Sequence, residues 1–64
     1  MSNLEIHAST TGYDDAEAIA AMLDLAATAV RQAGGDAVDL TDQTTTVNHG
    51  SDPQQVYWSM HFGA

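Results

Sequence analysis

Residues 14–35 read DDAEAIAAMLDLAATAVRQAGG, and the fold turns on what this stretch becomes. Asp14 is a good N-cap, Glu17 stands three residues later as in a capping box, and Asp15 adds a second acid where a helix dipole is positive. At about 100° per residue, Ile19, Met22, Leu23, Ala26, Val30 and Ala33 fall on one face, and Glu17, Asp24, Thr28 and Arg31 on the opposite one. Arg31 suits the negative pole of the dipole, and Gly34-Gly35 supplies a stop. The stretch predicts a helix over residues 15–33 with Leu23 in the buried face. Its many alanines allow a close approach to a sheet.

Outward on the amino side, residues 3–9 alternate Leu4, Ile6 and Ala8 against Glu5 and His7, the period of a half-buried strand. Residues 9–12, Ser-Thr-Thr-Gly, break that pattern before the helix. On the carboxyl side, residues 37–41 alternate again, with Val38 and Leu40 opposed to Asp39 and Thr41. Asp42-Gln43 predicts a turn into residues 44–49, whose threonines and valine favour a further strand. His49-Gly50-Ser51-Asp52-Pro53 is the strongest turn signal. Residues 54–62 then place Val56, Trp58, Met60 and Phe62 on one face and Tyr57, Ser59 and His61 on the other. The reading is an α+β fold of order β-α-β-β-β, one domain over residues 1–64, with the helix packed on one face of an antiparallel or mixed sheet. Leu4, Ile6, Val38, Leu40, Val56, Trp58 and Met60 are the expected covered face, and Trp58 its anchor.

A chain of 64 residues buries about 60% of its unfolded surface, which makes a thin core and disfavours a deep substrate pocket. It has no cysteine, hence no disulfide framework and no thiolate zinc site. The first ten residues, MSNLEIHAST, lack the basic and apolar regions of a signal peptide, and no run approaches the ~20 apolar residues of a membrane span. A soluble cytosolic protein is expected. Nine acids face one arginine and no lysine, for a net charge of −8. Nucleic acid and membrane surfaces are themselves anionic, so a basic protein is the natural partner. A monomer is expected.

Chemistry-bearing patterns are weak. His7, His49 and His61 match no metal spacing, even with Asp39 or Glu5 beside them. Ser59 and His61, two apart on a strand, have neither a nucleophile elbow nor an oxyanion donor. Gly34-Gly35 ends a helix beside Asp36, the wrong arrangement for phosphate. The expectations are no enzyme activity, no metal and no cofactor.

What remains is the charge. Acids keep a small protein soluble, and a lysine-free acidic surface also suits a high-salt habitat. A third reading is polyanion mimicry: at one charge per about 1.7 Å of duplex axis, eight charges correspond to about 14 Å, or roughly four base pairs. The acids assigned to partner binding are Asp14, Asp15 and Glu17 at the helix start, Asp24 along its solvent face, and Asp36, Asp39 and Asp42 after it.

From MSNLEIHAST at its start to VYWSMHFGA at residues 56–64, the whole chain resembles the small acidic type I-C anti-CRISPR proteins, phage or mobile-element inhibitors of the Cascade surveillance complex. The resemblance lies in general character and not in a signature motif. It implies a non-enzymatic inhibitor acting by protein–protein contact, a duplex-DNA mimic that occupies the Cas8 subunit where the protospacer-adjacent motif is read. The alternative from another class is an acidic antitoxin or immunity protein that neutralises a basic toxin or nuclease.

Overall fold

A computed structural model describes residues 2–10, 16–49 and 52–63. Its elements are β1 (Asn3–Thr10), α1 (Ala16–Ala33), β2 (Val38–His49) and β3 (Asp52–Gly63). The α+β class and the single helix across one sheet face are as the sequence predicts, and the sheet is wholly antiparallel. β3 is its central strand, in the order β1-β3-β2.

The strand count differs from the sequence reading. In place of two strands joined by a turn at Asp42-Gln43, β2 is continuous and both of its halves pair with β3. Leu40 lies opposite Met60 and Gln43 opposite Trp58, so β2 advances three residues while β3 advances two. The extra residue is a β-bulge, and Asp42 absorbs it at φ 55°, a left-handed conformation that Asp tolerates better than most residues. The bulge changes parity: Val38 and Leu40 face the helix before it, Thr45 and Val47 after it. Of the turn predicted over residues 49–53, Gly50 and Ser51 lie outside the described residues, whereas His49, Asp52 and Pro53 belong to the strands, whose ladder runs to the pair His49–Asp52.

α1 ends where the glycines allow. The Gly34 amide donates to the Arg31 carbonyl at 3.2 Å and the Asp36 amide to the Ala33 carbonyl at 3.1 Å. Gly34 and Gly35 take φ 62° and 102°, while a Cβ at either would meet nothing, so backbone conformation alone requires glycine there. The cap residues Asp14 and Asp15 lie outside the described residues.

α1 lies over β2 and β3. Ala18, Met22 and Ala26 are its buried residues, stacked at intervals of four against Val38, Val56, Trp58 and Met60. Trp58 is 5% exposed, and its indole Nε1 donates to Thr45 Oγ1 at 3.1 Å, satisfying both polar groups inside the core. Leu23, expected in that core, is 47% exposed, and Leu4 of β1 is 54% exposed. α1 sits over the β2–β3 side of the sheet, so its Leu23 flank stands above the β1 side without closing on it. A groove of about 200 Å³ results, lined by Leu4, Ile6, Leu23, Ala27, Val30 and Met60 among others.

Candidate functional site

The sheet face away from α1 has no helix over it among the described residues. Directly opposed residues of antiparallel strands share a face, so the ladder sets out its rows. Glu5, His61 and Asp39 form one row across β1, β3 and β2. His7 and Ser59 form the next, ending at the bulge; Ser9, Tyr57 and Thr44 follow, then Gln55 and Thr46. At an inter-strand spacing of about 4.8 Å, the Glu5 and Asp39 backbones stand about 10 Å apart with His61 between them.

Polar side chains tie part of this face together. Tyr57 Oη donates to Gln55 Oε1 at 2.8 Å and Gln55 Nε2 to Thr46 Oγ1 at 3.5 Å, while Gln43, opposite Trp58 at the bulge, donates from Nε2 to the Thr41 carbonyl at 2.9 Å. The bulge opens a shallow concavity of about 600 Å³, lined chiefly by His7, Ser9, Asp42, Gln43, Tyr57 and Ser59. Ser59 and His7 are cross-strand neighbours here, and Ser59 sits within the central strand opposite the bulge, with no nucleophile elbow around it. No preorganised donor pair of the kind an oxyanion needs follows from that arrangement. Among the described residues no group of three or more His, Asp or Glu is placed to hold a metal.

The assigned acids divide. Glu17 and Asp24 are exposed on α1, seven residues and about 10 Å apart on the side opposite its buried stripe. Asp39 is exposed on the open sheet face, and exposed Asp42 edges the concavity there. Asp36 is exposed in the turn between α1 and β2. Asp14 and Asp15 lie outside the described residues. The fold therefore brings Asp39 and Asp42 to one face and sends Glu17 and Asp24 to the opposite one. Glu5 joins the first pair, and its outward place in the β1 alternation was the available signal. Glu5, Glu17, Asp24, Asp36, Asp39 and Asp42 share no ion pair among the described residues.

These features define a two-layer α+β domain whose open sheet face is polar and acidic at one end. No family model, curated protein or solved structure matches the chain. Among the described residues, no helix is long and apolar enough to cross a membrane.

Proposed function

We propose that the protein is an inhibitor that binds a basic, duplex-reading surface, as the resemblance to type I-C anti-CRISPR proteins implies, with the Cas8 subunit of Cascade as its target. The observation that supports this most directly is the uncompensated charge: six exposed carboxylates share no ion pair among the described residues, in a chain with one arginine. A surface that reads a short duplex motif first attracts phosphates with Lys and Arg. Carboxylates on a folded protein satisfy the same cations and offer no strand to unwind, so inhibition precedes strand opening.

Magnitudes limit the mimicry. Eight net charges along the 42 Å longest dimension are about one per 5 Å, against one per about 1.7 Å for duplex DNA. The protein is a dilute polyanion, suited to a short cationic site through local groups such as Glu5, Asp39 and Asp42. The test is a binding assay of Cascade on a target duplex carrying the motif, with and without the protein. Loss of duplex binding, relieved by excess duplex, is the expected result. Undisturbed duplex binding overturns the reading, and neutralisation of a basic nuclease in its place selects the antitoxin alternative.

A further inference from the structure

The two edges of the sheet are protected unequally. β2 carries the bulge, Asp39 and Asp42, all devices that keep an edge from pairing with another chain. β1 runs in unbroken register from Asn3 opposite Gly63 to Thr10 opposite Val56, with no bulge, proline or lysine and a single acid, Glu5. Among the described residues no strand pairs with its outer edge. The apolar groove under Leu23 and Val30 opens beside that edge, and every residue lining it is uncharged.

We infer that this edge is the interface of a homodimer in which β1 pairs antiparallel with β1 of a second copy. The occupant follows from symmetry and charge. Paired antiparallel about a two-fold axis normal to the sheet, the strands keep their helix-facing residues, Leu4, Ile6 and Ala8, on a common face; parallel pairing about an axis along the strand sets that face beside the other copy's polar one. Of the antiparallel registers, the one centred on Ile6 opposes Ile6 to Ile6, Leu4 to the second copy's Ala8, and Glu5 to the second copy's His7. The neighbouring registers that keep the faces aligned set Glu5 against Glu5 or His7 against His7. The strand is thus self-complementary in one register, with an acid and a histidine opposed on both sides of the axis.

The net charge of −8 does not forbid this. Asp39 and Asp42 lie on the far edge, and Glu17 and Asp24 on the back of α1, so Glu5 is the one described acid on the pairing strand. One strand pair and the groove floor make an interface at the small end of the range for specific contacts, so association is to be looked for up to near-millimolar concentration. The inference stands independently of duplex mimicry. In the dimer the open sheet faces join, and Glu5, Asp39 and Asp42 of both copies lie on one surface.

Sedimentation from micromolar to near-millimolar concentration is the test and needs no partner protein. Wild type should shift from monomer to dimer. Leu4→Lys, which sets an ammonium on the shared floor, should remain monomeric; Leu25→Lys, at an equally exposed position on the other flank of α1, should dimerise as wild type does. Thermal unfolding checks that Leu4→Lys is folded, and Ala8→Lys, also exposed and in the same row, replaces it otherwise. Glu5→Lys should weaken the dimer and the double variant Glu5→Lys/His7→Glu should restore it. A wild type monomeric throughout overturns the inference and leaves the groove to another protein. A dimer that survives both Leu4→Lys and Ala8→Lys, or that Leu25→Lys abolishes equally, overturns it as well, and failure of the double variant to restore overturns the Ile6-centred register.

Discussion

Toward α1 the central strand presents Val56, Trp58 and Met60, all buried; away from it the same strand presents Gln55, Tyr57, Ser59 and His61, with Tyr57 and His61 exposed. The backbone ladder is common to both faces, so the contrast isolates the side chains. Burying one large apolar side chain is worth about 1.5–3 kcal/mol, and nearly all such burial lies on the helix side. The open face contributes ladder geometry and a few exposed hydrogen bonds, each of small net value. Stability therefore resides on one face, and the other is free to carry charge. Substitutions on the two faces should separate accordingly.

The largest effect should come from Trp58→Ala. Removing a buried tryptophan costs about 3–5 kcal/mol. A domain of this size has about 3–10 kcal/mol in total, so the variant should lose a large share of its stability and melt far below wild type. Circular dichroism through a thermal ramp reads this directly. A native-like transition would place the anchor elsewhere and erase the contrast between the faces.

Thr45→Val comes next. It keeps the shape of the side chain and removes the acceptor of the Trp58 indole N–H, leaving a buried donor unpaired at a cost of about 1–3 kcal/mol. Thr46→Val, one residue along and exposed on the other face, should stay within about 0.5 kcal/mol of wild type. Urea unfolding of the two variants side by side sharpens the comparison, because the chemical change is identical and the face alone differs. Equal midpoints would show that the Trp58–Thr45 bond adds nothing.

Much of this arrangement was legible in the chain. The capped, glycine-terminated stretch located α1 within one residue, and strict alternation located β1 and β3. β2 was misread as two strands because a bulge reverses parity: Val38 and Leu40 at even positions, Thr45 and Val47 at odd ones, share a face only if one residue is absorbed between them. Asp42 looked like a turn former for the same reason that it tolerates the bulge. Leu23 was misplaced because periodicity gives the angular width of an apolar stripe and not the lateral position of the helix over a sheet. Exposure of the acids was readable from alternation and helical phase. That Glu5 and Asp39 share one row was not, since it depends on which strand lies at the centre.

The smallest stability effect and the sharpest functional one should come from Asp24→Lys with Asp39→Lys. Asp24 is exposed on the back of α1 and Asp39 on the open sheet face, so each lies outside the packed layer and the fold should change by less than about 0.5 kcal/mol per site. These positions avoid the ambiguity of Asp14, Asp15 and Glu17, where reversal would also oppose the helix dipole. Two acid-to-lysine changes move the net charge from −8 to −4 and convert one carboxylate on each face into a repelling cation. Long-range attraction to a cationic duplex site should fall, and most of the loss should appear in the association rate. The wild-type interaction should itself weaken as salt shortens the Debye length from about 10 Å to 3 Å, and the double variant should show a shallower salt dependence. The single variants then divide the two surfaces. If the open sheet face meets the partner, Asp39→Lys alone should reproduce most of the loss and Asp24→Lys little of it. Equal losses would mean that the partner senses net charge and not one face, and a well-folded double variant that inhibits as strongly as wild type would remove both acids from the contact.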